Sequence, residues 1–283
     1  MMQIALRFMI MLGVLSAASA AAAAAPIAMI DAHAHYSVPD AAAFSPDAVR
    51  TKLDTAKVRL LVTTSAPPQL AQHLYRQMPD RIIPMLGVYD DDLHKANWVH
   101  DTSLPMRVAA QLESGVWAGI GELHLFARDA QQPVFAQLVR LAASHQRVLL
   151  IHGDAEVIEQ AFAIAPEVRV LWAHLGTEPQ PDALAQMLER FPDTLWIDTS
   201  VRDERIAPNG TLLPAWRTLF ERFPERFVVA VDTFSVNRWQ QYESVVARIR
   251  GWVAPLPQPL QANLLHDNAA RLFESFILPP ARQ

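Results

Sequence analysis

The chain contains no cysteine. That absence excludes thiolate catalysis, iron–sulfur ligation and disulfide staples, so a hydrophobic core or a bound metal must hold the fold. No Gly-x-Ser-x-Gly elbow and no P-loop occurs, which removes the signatures of serine esterases and of P-loop NTPases. An excess of positive charge is also lacking: 24 Lys and Arg stand against 29 Asp and Glu, a formal charge of −5. Mild acidity argues against nucleic acid or an anionic membrane as a partner. No Gly/Ser-rich linker, charge block or short repeat divides the 283 residues after their N-terminal stretch. Hydrophobic residues make up 51%, ample for one large core.

Residues 1–25 stand apart. Arg7 is their only charge, and an apolar run dissolves into Ala-x-Ala repeats. This is the pattern of a secretory signal peptide cleaved within 18–25, too short in its strongly apolar part for a span of about 20 residues. The sequence therefore predicts a periplasmic or secreted protein with no stable membrane insertion after cleavage. Residues 26–283 form the expected single domain.

Eight apolar runs rich in β-branched residues follow: 29–35, 58–66, 81–89, 116–126, 147–154, 168–176, 194–200 and 227–234. Most are nearly continuous, as parallel strands covered on both faces should be. Helical spacing fills the gaps at 133–145, 181–190, 211–222, 237–253 and 261–276, with Pro133 suited to a first turn and Pro214 marking a helix start. Eight strand–helix units of this length predict an α/β fold, a (β/α)8 TIM barrel. A doubly wound sheet would place a Gly-rich turn after its first strand, where this chain has His35-Tyr36-Ser37-Val38-Pro39.

The polar residues fall at strand ends. His33 and His35 close the first, Glu122 and His124 the fourth, His152 the fifth, His174 the sixth and Asp232 the eighth. A lone buried histidine is usually a hydrogen-bonded core residue. Several at equivalent places converge on one barrel mouth. His33 and His35, two apart on a strand, share a face and can reach one ion at about 2.0–2.1 Å. Asp31 is expected on that same face, one step deeper, either orienting a ligand imidazole or satisfied by backbone.

The segments D-A-H-A-H (31–35), I-G-E-L-H (120–124), L-I-H-G (150–153), W-A-H-L-G (172–176) and V-D-T (231–233) together resemble the amidohydrolase superfamily. The closer likeness is to its amidohydrolase-related, TIM-barrel metal-dependent hydrolase branch, and Asn268-Ala-Ala-Arg-Leu-Phe273 resembles the helix that commonly closes it. The resemblance implies that His33 and His35 bind a first, more buried metal, and that Asp232 binds it and shuttles protons. It implies that His152 and His174 bind a second metal, or that His152 completes a mononuclear site while His174 polarises the substrate. Glu122 stands where two-metal members carry a bridging group. His124 is the alternative ligand on that strand. The implied cofactor is one or two divalent ions, zinc first, with Mn2+, Fe2+ or Co2+ able to use the same donors.

His124, Trp98, in the segment after strand three, and Arg202 and Arg205, after strand seven, are candidate substrate contacts, the arginines for a carboxylate or phosphate. Trp172 and Trp196 are expected in the core. The functional expectation is hydrolysis of an amide, lactone, ester or phosphoester bond of a small molecule. The alternatives are a non-oxidative decarboxylase on the same barrel and a non-catalytic binding protein.

Overall fold

Prolines and short polar side chains set the helix starts. Pro133 opens the helix Pro133–Ser144, Pro181 opens Pro181–Arg190 and Pro214 opens Pro214–Arg222. Each supplies a preset φ where no intrahelical N–H is needed. Ser45 caps Pro46–Ala56 by accepting from Ala48 N, and Asp91 caps Asp92–Asn97 by accepting from His94 N. The computed structural model describes residues 27–277. The expected signal segment lies outside the described residues.

Between the helices run eight strands: β1 (Met29–His35), β2 (Val58–Thr64), β3 (Ile82–Leu86), β4 (Gly119–Leu125), β5 (Val148–Gly153), β6 (Arg169–Trp172), β7 (Leu195–Asp198) and β8 (Phe227–Val228). They pair in parallel in sequence order. The chain beyond β8 meets β1 through Ala32 N to Val229 O (3.2 Å) and Asp232 N to His33 O (2.8 Å). The result is a nearly closed barrel with helices outside, the (β/α)8 arrangement.

Three expected elements are shorter or broken. β8 was expected over 227–234, but Val229 N turns away to Leu264 O (3.2 Å), and Asp232 takes a positive φ of 53°. β6 stops at Trp172, and His174 sits beyond it in a left-handed turn with φ 62°. The helical stretch 261–276 is interrupted by a π-helical segment, Asn263–Asp267.

The strands separate two apolar layers. Their outer faces pack on the helices. A smaller inner cluster joins Ile30, Ala32, Ile83, Leu150, Leu171 and Val228 to Ala269, Leu272 and Phe273 of the chain's last helices. Those three side chains plug the end of the barrel remote from the site. Asn268 fixes the plug: its side-chain amide donates to Pro224 O (2.9 Å) and Phe227 O (2.7 Å) at the start of β8. The motif at 268–273 is therefore structural. Among the described residues, no helix is long and apolar enough to cross a membrane.

Candidate metal centre

Two irregularities aim the polar residues at the mouth. The β1–β2 register shifts between Asp31 and Ala34. Ile30 and Ala32 face the barrel interior, and Met29 and Ala34 face the helices. Asp31 faces outward with the latter pair, so the expectation that it shares the histidine face is corrected. Its carboxylate accepts from Val231 N (2.9 Å) and Tyr242 OH (2.9 Å). Burial, only partly offset by these bonds, pushes Asp31 up to about 7.

A matching shift interrupts β4 between Ile120 and Leu123. Gly121 there has a φ of +133°, and a Cβ on it would stand 2.4 Å from Leu150 O. Only glycine fits. Thr64 Oγ1 holds Gly121 O at 2.6 Å, and Tyr89 OH holds Glu122 O at 3.0 Å. The buried Glu122 carboxylate is thereby presented to the centre.

Six sequence-selected residues converge on it, and His124 joins them. Glu122 Oε2 lies 3.1 Å from His35 Nε2, 3.6 Å from His33 Nε2 and 2.9 Å from His124 Nε2. Its other oxygen lies 3.2 Å from His152 Nδ1 and 3.1 Å from His174 Nε2. Asp232 Oδ1 stands 3.3 Å from His35 Nε2 and 3.9 Å from His33 Nε2, and Asp232 Oδ2 stands 3.8 Å from His174 Nε2. Thr233 locks this arrangement by accepting from His35 N (2.8 Å) and donating to His35 O (2.7 Å).

The strand-seven residues Asp198 and Ser200 complete the site, and the sequence reading assigned them no role. The fully buried Asp198 Oδ2 is 3.0 Å from His33 Nδ1, while its Oδ1 accepts from His174 N (3.0 Å) and Ser200 N (2.9 Å). Ser200 Oγ is 2.7 Å from His174 Nδ1. The available signal was the i, i+2 polar pair in I-D-T-S at a strand end, the same spacing as His33 and His35.

Trp98 and Arg202 brace backbone, and with Arg205 they stay off the cavity lining. Trp98 is buried and donates from Nε1 to His124 O (3.0 Å). Arg202 donates from Nε to His174 O (3.0 Å) and bonds Gly176 O, bracing the turn that carries His174. Arg205 is exposed, and neither arginine lines the cavity. Trp172 and Trp196 are buried, as expected.

The electrostatics are those of a cation site. Burial opposes charge on His33, but Glu122, Asp232 and Asp198 outweigh it and hold its pKa well above the ordinary histidine range. Burial likewise opposes charge on Glu122, and the surrounding histidines hold its pKa well below the usual carboxylate range. Asp198 is held down to about 2, the bonds and charges of His33 and His174 overcoming its burial. Asp232 Oδ1 is buried without a hydrogen-bond partner among the described residues. Buried acceptors of this kind need compensation. His33, His35 and Asp232 bring ligand atoms within 4.8 Å of one another, as do His33, Glu122 and His174. These donors and spacings fit a divalent ion. Beside them opens a cavity of about 650 Å3, bordered by His35, Glu122, His124, His152, His174 and Asp232 and also by Val38, Tyr89, Lys95 and Phe234.

No known protein-family model matches the sequence, and no curated protein matches it. Solved structures do. A probable 2-pyrone-4,6-dicarboxylic acid hydrolase from Acinetobacter baumannii, with citric acid bound, shares 17% identity at a TM-score of 0.59, covering 88% of this chain and 100% of its own. A putative 2-pyrone-4,6-dicarboxylic acid hydrolase from Pseudomonas putida shares 15% at 0.61, covering 90% and 100%. An amidohydrolase from Burkholderia multivorans with bound zinc shares 13% at 0.56, covering 87% and 99%. Two of these neighbours are named as hydrolases and one as an amidohydrolase. At such identities the likeness establishes the barrel fold.

Proposed function

We propose that this protein is a metal-dependent hydrolase of a small amide, lactone, ester or phosphoester substrate. The observation that carries this reading is the convergence of His33, His35, Glu122, His152, His174 and Asp232 from five sectors of the barrel on one buried, acid-rich centre open to a cavity. The zinc in one structural neighbour supports it. His33, His35 and Asp232 would hold an ion at the base, with Glu122 between them and His152 and His174. A divalent ion there supplies a Lewis acid and lowers the pKa of water from about 15.7 to about 7.

The chain's own groups then act in sequence. Asp232 borders the cavity and takes the proton of the attacking water. The water oxygen bonds to the carbonyl or phosphoryl centre. His174, braced by Ser200 and the backbone-anchored Asp198, polarises the substrate oxygen. As the bond to the leaving group breaks, Asp232 passes its proton to that group. For the decarboxylase alternative, Arg202 and Arg205 do not supply a carboxylate clamp, since neither borders the cavity.

The test pairs elemental analysis with one substitution. One or two divalent ions per chain are expected. Asp232→Asn should lower kcat by at least about 1000-fold while most of the metal stays bound. Purified protein with no bound ion, or a fully active Asp232→Asn variant, sinks the reading.

A further inference from the structure

His124 is two residues from Glu122 on β4 and borders the same cavity. Its Nε2 lies 2.9 Å from Glu122 Oε2. Its ring stacks on that of His152, centroids 4.3 Å apart and planes inclined by 26°. Trp98 holds the His124 carbonyl from behind, and the Tyr89 ring stands edge-on at 6.2 Å. The imidazole is thus fixed in a chosen direction, and that direction is the Glu122 carboxylate.

Glu122, His124 and His152 bring one ligand atom each within 4.8 Å of one another. The trio His33, His35 and Asp232 meets the same condition and shares no residue with it. Each of the two sets of three donors therefore offers its own place for an ion. A tetrahedral ion with bonds of about 2.0–2.1 Å separates its donors by about 3.3 Å. His152 Nδ1 lies 3.2 Å from Glu122 Oε1 and His124 Nε2 lies 2.9 Å from Glu122 Oε2, so each imidazole meets its own oxygen of that carboxylate at close to this distance. The side chains of His124 and His152 keep 20% and 29% of their surface exposed, and both border the cavity.

We infer that His124 is a metal ligand that completes an outer ion position with Glu122 and His152. The inference rests on the metal-dependent reading above and adds to it. His174, whose Nε2 lies 3.1 Å from Glu122 and 3.8 Å from Asp232, is then left to the substrate oxygen.

The experiment strips the full chain with a chelator and titrates it with Zn2+ against a competing chelator. Wild type is expected to bind two ions. His124→Gln keeps a side-chain N–H that can donate to Glu122, so it preserves a purely orienting role and removes only the imidazole donor. The variant is expected to retain the inner ion and to lose more than about 100-fold in affinity for the outer one, beyond the 10–100-fold cost of removing a residue that only orients a ligand. Retention of the outer ion within that factor overturns the inference. A wild type that binds one ion also overturns it and leaves the hydrolase reading intact. A wild type that binds none removes both. Should His124→Gln fail to fold, anomalous diffraction from zinc-loaded wild-type crystals decides. An ion about 2.0–2.1 Å from His124 Nε2 supports the assignment, and a second ion away from His124 ends it.

Discussion

At the scale of single residues, the site divides into groups that face its centre and groups that fix those groups. Asp198 is the clearest of the second kind. One carboxylate spans His33 Nδ1 and the backbone N–H groups of His174 and Ser200. It thereby sets which His33 nitrogen carries a proton and leaves Nε2 for a cation. Asp198→Asn keeps an acceptor for the backbone but presents an amide to His33. Metal affinity, read by chelator competition, should fall by about 10–100-fold with little change in secondary structure. Unchanged affinity would mean that His33 needs no such partner. The six principal site residues were legible in sequence because strand ends are marked by where an apolar run stops. Asp198 was passed over because it is one short polar residue at the end of such a run. Trp98 and Arg202 were candidate substrate contacts by their place after strand ends, but sequence position does not say which way a side chain points. Both point into backbone carbonyls.

At the scale of elements, the strands read clearly because a strand buried on both faces is apolar throughout, and the helix starts read clearly because proline and short polar side chains mark them. The irregularities were hidden. The shifts in β1 and β4 leave no trace in an apolar run, yet they decide that Asp31 faces outward and Glu122 faces inward. His174, Leu175 and Asp232 all have positive φ, a conformation that costs about 1–3 kcal/mol at a non-glycine residue and clusters at functional sites. Gly121→Ala tests the β4 irregularity. Its new methyl meets Leu150 O and an unfavourable φ. We expect a loss of more than about 2 kcal/mol in urea unfolding, together with weakened metal binding as Glu122 is displaced. Wild-type values for both would show that this backbone relaxes freely. Asn268→Ala removes the donor to two carbonyls at the start of β8. A loss of about 2–4 kcal/mol is expected from leaving them unpaired, seen as a lower urea midpoint with the active-site metal still bound. A change below about 0.5 kcal/mol would release Asn268 from this role.

At the scale of the whole molecule, stability carries a pH dependence from a group away from the candidate metal centre. Asp203 is buried, and its Oδ1 accepts from Trp252 Nε1 at 3.2 Å. Burial raises its pKa above the ordinary 3.8, and the Trp252 bond with the charges of Arg238 and Arg248 only partly opposes the rise. The folded state therefore holds this proton more tightly than the unfolded state. Its stabilising contribution is complete below about 3.8 and is lost as pH rises through the elevated folded value. Asp203→Asn cannot titrate. Relative to the variant, wild type should lose Tm steadily across that window. Parallel curves as pH rises from below 3.8 would show that Asp203 titrates alike in both states.

The plug formed by Ala269, Leu272 and Phe273 comes from the far end of the polypeptide, although the space it fills is bounded by the earliest strand. During synthesis, all eight strands leave the ribosome before their floor does. Until the last helices emerge, the nascent barrel exposes an oily lumen, and chaperones would have their best purchase there. A ribosome arrested ahead of residue 268 should therefore carry a chain that is sticky and protease-sensitive even though its catalytic side chains have all been made.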